Sequence, residues 1–289
     1  VSFSPGTHVL TEPYKVPSNT YLDLTGVTLK YPDGFDGLAT GGEFGLLDIE
    51  NVNNVEIVGG TFDGGLSTRI GWSQHSHAIR VRSATNVKIR NGKFHNLAGD
   101  GVFVSAFNPT DPHSRGSQEV RIQGNEFHGT NQNRQGVSIC HATSVQVEGN
   151  LFVAMARPDM PGAIDLEPDY GHQQVDHIFI YQNIIRGGQQ KPLGGIVVYN
   201  RLAAAPMNNI TILENSITGP FSHGIYLEGH SAVEERDIRI ASNTLRDVDT
   251  PITVINVTAD VAGNDDDDRD RKCRQNDPKK RRRCKRRQR

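Results

Sequence analysis

The chain has 289 residues, of which 35% are apolar, 30 are glycine and 14 are proline. No apolar stretch approaches the ~18–20 residues a spanning helix needs, so no membrane span is expected. The formal charge of −2 hides a division: residues 264–289 hold thirteen Lys/Arg and six Asp, whereas residues 1–263 hold eighteen and twenty-seven. An acidic body of residues 1–263 and a basic tail therefore need separate readings. The sequence opens at Val1 without an apolar leader, as a mature secreted product would.

Taken in chain order, the body repeats itself. One strand type recurs as VEIVGGTF (55–62), VKIRNGKF (87–94), VRIQGNEF (120–127) and VQVEGNLF (145–152). It continues as IFIYQNII (178–185), ITILENSI (210–217) and IRIASNTL (238–245), at spacings of 25–33 residues. Asn125, Asn150, Asn183, Asn215 and Asn243 share one slot, and Phe62, Phe94, Phe127 and Phe152 share another. Identical residues stacked at one position form ladders, amide hydrogen bonds for Asn and ring stacking for Phe. Asn also tolerates the left-handed backbone of a tight bend, which is expected at its slot.

A second strand type alternates with the first: YLDL (21–24), LLDI (46–49), AIRV (78–81), GVFV (101–104), GVSI (136–139), AIDL (163–166), GIVV (195–198), GIYL (224–227) and PITV (251–254). Period-two alternation marks each as a short strand with one buried face. Short strands repeating after about 29 residues are the coils of a solenoid, stacked ~4.8 Å apart. The expectation is an all-β parallel β-helix of about nine coils.

The tail, residues 264–289, contains no aliphatic or aromatic residue and has too little to bury to fold alone. It is expected to be a disordered, basic segment with affinity for polyanions. Cys273 and Cys284 lie in it, with ten residues between them; Cys140 is alone in the body.

Variable connections flank the second strand series, so its outward face is the expected floor of a groove. The outward residues there are Arg80 and Arg82, Phe103 and Ser105, Ser138 and Cys140, Asp165 and Glu167, Val197 and Tyr199, Tyr226 and Glu228. A further column, at the groove's edge, holds His77, Asp100, Gln135, Gly162, Gly194 and His223.

HAIRV (77–81), GDGVFV (99–104), NRQGVSI (133–139) and PGAIDLEPD (161–169) follow one another in successive coils. In that order they resemble the right-handed parallel β-helix proteins of the pectin-lyase-like superfamily, most of all its bacterial and phage-type polysaccharide-processing members. The resemblance covers about residues 1–260 and implies a right-handed solenoid acting on polysaccharide outside the cell. The polygalacturonase-type hydrolases of that superfamily match only in part. Asp100 falls on a family carboxylate position, but Arg134 and Gln135 stand where a second coil should carry two Asp. Pro161, Gly162 and Ala163 replace the Gly-His-Gly of a third, so galacturonan hydrolysis does not carry over.

Asp165 and Glu167 are the nearest replacement acids. They lie two apart on one strand face, so about 6.6–7 Å separates their backbones, and Asp100 lies two coils away, about 9.6 Å. Inverting glycosidases need carboxyls about 6.5–9.5 Å apart. Asp100, Asp165 and Glu167 are the candidate catalytic set. Arg134 is the candidate for binding a substrate carboxylate or sulfate bidentately, and Gln135, His77, His141, His172, Tyr199 and Tyr226 are candidate substrate contacts; Trp72, Tyr199 and Tyr226 are candidate rings for stacking on sugars. The function expected is acid/base hydrolysis of an extended, anionic polysaccharide. A polysaccharide lyase is the alternative enzyme, though none of the body's five lysines (Lys15, Lys30, Lys88, Lys93, Lys191) lies on the floor. A non-catalytic carbohydrate-binding rod is the other alternative. Asp165, Glu167 and Asp169 are the residue type that holds Ca2+, but no calcium-loop spacing accompanies them, and no metal or cofactor is expected.

Overall fold

The computed structural model describes residues 3–36, 44–69, 73–130, 132–158, 160–202 and 206–266. Trp72, Cys273, Cys284 and the tail beyond Asp266 lie outside the described residues. Every strand pairs in parallel with its counterparts one coil away, forming three sheets of ten, nine and nine strands. No helix among the described residues is long and apolar enough to cross a membrane. The fold is a parallel β-helix.

The first repeating segment is two strands rather than one. Asn53–Val58 and Thr61–Asp63 join different sheets, because the chain bends at Gly59 and Gly60, both at positive φ. The same bend recurs in each later coil, and it corrects the expected place of the left-handed residue. Positive φ falls at Gly124, Gly149, Gln182, Glu214 and Ser242, each immediately before a ladder asparagine. The asparagines themselves are in ordinary conformation and completely buried, with their side chains turned inward.

Their amides close the ladder. Asn150 Nδ2 donates to Ile122 O (2.9 Å) in the coil before and to Asn183 Oδ1 (2.9 Å) in the coil after. Its own Oδ1 accepts from the Asn125 backbone N–H at 2.9 Å. The pattern runs on through Asn183, Asn215 and Asn243 to Asn264, whose Oδ1 accepts from the Asn243 amide at 2.9 Å. Asp265–Asp266 then pair with the strand Thr244–Arg246. The solenoid therefore continues past the expected boundary at residue 263, because Asn264 supplies a sixth rung.

The phenylalanines stack as expected, with ring centroids 4.6, 4.6 and 4.7 Å apart from Phe62 to Phe152. This column explains two motif glycines. A Cβ on Gly101 would lie 2.7 Å from the Phe127 ring, and one on Gly136 2.6 Å from that of Phe152. Both contacts are too close for a real side chain. The GDG and RQG motifs thus keep their glycines for interior space.

Candidate active site

Eight members of the second strand series, LLDI (46–49) onward, join Tyr14–Lys15 in the nine-stranded sheet that carries the site; YLDL (21–24), expected in the same series, instead pairs with Asn53–Val58 in the other nine-stranded sheet. The register of the site sheet fixes the outward columns. Asp48 pairs in register with Arg80, Arg80 with Phe103, Phe103 with Ser138, Ser138 with Asp165, Asp165 with Val197 and Val197 with Tyr226. A second column runs through Glu50, Arg82 and Ser105 and, further along, Tyr199 and Glu228. The loops rise around this face, so outward does not mean exposed. Asp100 is 1% exposed and Asp165 4%.

Asp100 sits in a bound clamp. Arg134 Nε donates to its Oδ1 at 3.0 Å, and the His77 ring lies against it. Burial alone would raise this carboxyl, but the Arg134 guanidinium beside it offsets that, and its pKa is held at about 2. Asp100 is therefore an anion at any ordinary pH. Burial lowers the pKa of His77 against the pull of Asp100, so the ring is neutral. Its Nδ1 accepts the Asp100 backbone N–H at 3.0 Å, which places the ring's proton on Nε2. Nδ1 is also 3.3 Å from Asp100 Oδ2, and the shorter amide contact is the one a neutral ring makes. The ring stacks on Phe103, with centroids 4.5 Å apart.

Arg134 was expected to meet a substrate carboxylate; instead it serves Asp100. Its Nη1 also donates to Gln74 Oε1 at 3.1 Å and lies 3.3 Å from Met160 Sδ, bridging two loops over the carboxylate.

Asp165 has the opposite character. Burial raises its pKa well above the usual range, and the neighbouring Glu167 and Asp100 push it the same way. Gln135 Nε2 donates to its Oδ2 at 3.2 Å. Its Oδ1, Gln135 Oε1 and Ser138 Oγ are buried without a hydrogen-bond partner.

Glu167 is partly buried, which raises its pKa; Arg201 opposes this, its Nε 2.9 Å from Oε1. Cys140 is a buried free thiol whose pKa burial pushes well up, so it stays protonated.

The remaining candidates divide. His141 and His172 come together with each other, ring centroids 6.4 Å apart, on the lip rather than at the acids. Tyr199 and Tyr226 pack edge to face at 6.3 Å, and the Tyr226 hydroxyl bonds Glu228. They form a partly exposed aromatic shelf beyond Glu167. On the other side opens a cavity of ≈ 710 Å³, whose lining includes His75, His77, Arg80, Phe103, Asp169 and Tyr170. Among the described residues no three His, Cys, Asp or Glu side chains assemble as a metal site.

Asp48, Glu50 and Arg201 were absent from the expected site. Arg80 Nε donates to Asp48 Oδ1 at 2.7 Å, and Arg82 Nε to Glu50 Oε1 at 2.6 Å. The signal was present in the aligned strands LLDIE and AIRVR, which place two acids opposite two arginines.

The family model for the right handed beta helix region matches residues 49–245. The chain belongs to this family. The right-handed β-helix resembles the surface protein and adhesin PfbA of Streptococcus pneumoniae, with a TM-score of 0.55 and 14% identity over 92% of this chain and 88% of that one. It is similar to the A-module of the Azotobacter vinelandii mannuronan C-5 epimerase AlgE6 (TM-score 0.52, 12% identity, 91% and 89% covered). The endo-xylogalacturonan hydrolase from Aspergillus tubingensis gives a TM-score of 0.52 and 12% identity over 90% and 84%. These likenesses establish the pectin-lyase-like fold. No curated protein matches the chain in sequence.

Proposed function

We propose that this β-helix is a secreted glycoside hydrolase that cleaves an extended polysaccharide lying along the site face. The observation that supports this most is the unlike setting of two neighbouring acids: Asp165 is almost wholly buried, which pushes its pKa well up, whereas Arg201 beside Glu167 opposes the rise that partial burial causes there. Environments that push neighbouring carboxyl pKa values apart are how one site holds an acid and a base at one pH. In this reading Asp165 protonates the leaving glycosidic oxygen. Glu167 takes the proton of an attacking water, which then adds to the anomeric carbon as the glycosidic bond breaks. Asp100 is too strongly stabilised as an anion to serve as a base; with Arg134 and His77 it anchors the floor. The Tyr199–Tyr226 shelf and the cavity beside Phe103 would hold sugars on either side. The related solved structures include a polysaccharide hydrolase and an epimerase, and a polysaccharide substrate places the protein outside the cell. The basic tail adds attachment to polyanions.

The depth of Asp165 and Asp100 favours a second reading, a non-catalytic carbohydrate-binding rod like an adhesin. One experiment separates them. Asp165→Asn and Glu167→Gln, assayed on a polysaccharide panel for new reducing ends and for ultraviolet-absorbing unsaturated ends, are expected to lose 10²-fold or more in turnover. Binding should persist. Turnover at the parental rate in the double variant refutes the assignment; unsaturated ends would point to elimination; binding without any cleavage by the parent would leave the rod.

A further inference from the structure

We infer that the site face selects an uncharged glycan and rejects polyuronate or sulfated chains. The inference rests on the polysaccharide-cleaving reading of the same face, and it departs from the anionic substrate the sequence suggested. Its basis is a repeated arrangement of charge. Asp48 holds Arg80 (2.7 Å), Glu50 holds Arg82 (2.6 Å), Asp100 holds Arg134 (3.0 Å) and Glu167 holds Arg201 (2.9 Å). In each pair the acid lies in one coil and the arginine in the next. Each of these guanidinium groups is therefore already matched by a carboxylate of the protein.

An anionic sugar that took over Arg80 would have to displace Asp48. Arg80 and Asp48 are both almost wholly buried, so displacement would strand a carboxylate away from water. That penalty exceeds what a rim-exposed ion pair returns. The rest of the lining suits hydroxyls: Gln74, Asn108 and Thr110 offer amide and hydroxyl groups, and Phe103 and Tyr170 offer ring faces. Residues 1–263 as a whole carry nine more acids than bases. A neutral hexose- or pentose-built chain meets all of these features without breaking a pair. Elimination, which needs a carboxylate beside the departing proton, becomes unsuited to the site as well.

The test compares uronans with their own carboxyl-reduced forms, matched in length and linkage. Binding is measured to the full chain at about 0.3 M salt, where attachment through the tail is screened. The reduced, neutral member of a bound pair is expected to bind at least about tenfold tighter. Glu50→Gln, which removes the carboxylate partner of Arg82, is expected to narrow that ratio several-fold. Glu167→Gln does the same at the more exposed Arg201, which covers the case in which the Glu50 variant folds poorly. The tail is present in every protein compared, so the differences isolate the groove. Tighter binding of the uronan by the parent overturns the inference, and so does the absence of binding by every neutral chain. Neutral chains bound but not cleaved would remove hydrolysis and leave the selectivity standing. Cleavage confined to uronans would do the reverse.

Discussion

Truncating one rung of the amide ladder should cost more in the middle of the solenoid than at its end. Asn150→Ala removes an Oδ1 that accepts from the Asn125 amide (2.9 Å) and an Nδ2 that donates to Ile122 O (2.9 Å). Both groups left behind are buried, and each unsatisfied buried group costs about 1–3 kcal/mol. A loss of about 3–5 kcal/mol is expected. Asn264→Ala deletes the equivalent bonds to the Asn243 amide and Ile240 O, but this last rung is only partly buried and water can replace them. About 1 kcal/mol is expected there. Urea denaturation of both variants, followed by circular dichroism, provides the comparison. Equal losses at the two positions, or less than about 0.5 kcal/mol at Asn150, would refute the view that the ladder stabilises by satisfying buried groups.

Two further outcomes follow from the same geometry. Asp165 has a raised folded pKa, so its contribution to stability is complete below its unfolded value of about 4 and is lost as pH rises through the folded one; Asp165→Asn, neutral throughout, should therefore gain melting temperature relative to the parent at pH 8 and not at pH 4, and an equal shift at both would show that the carboxyl is not held protonated. Ending the chain after Asp266 should leave the melting temperature unchanged, whereas ending it after Gly263 should lower it by removing the sixth rung; a large drop in the longer form would show that residues 267–289 support the body.

The solenoid was legible because its signal is local and repeated. Each coil carries the same inward aliphatics, so Phe94, Phe127 and Phe152 announce their column without any knowledge of the loops. The outward columns followed from the same alternation, which is how Asp165 and Glu167 were placed on one face. What the repeat could not convey is everything supplied by segments that do not repeat. Gln74 and Met160 lie in variable loops, and they help Arg134 close over Asp100; no periodicity announces such a cover, so Asp100 read as accessible. Arg134 read as a substrate ligand because its partner lies 34 residues away. The bend residue was misplaced by one because Asn is both a left-handed residue and an amide donor, and here it acts only as the second.

The amide ladder carries no address. Every rung makes the same bonds to the coil before and the coil after, so one coil's back is interchangeable with another's. The groove face is the opposite, since Asp48, Glu50, Asp100 and Glu167 are each paired with the arginine of one particular next coil. A duplication of residues 216–243 would seat a second Ser216 where Thr244 now pairs with the first, and the rungs would close without any new residue. The same event between Asp48 and Arg80 would separate two buried charges. Variation in length is thus cheap beyond Arg201 and costly across the paired coils.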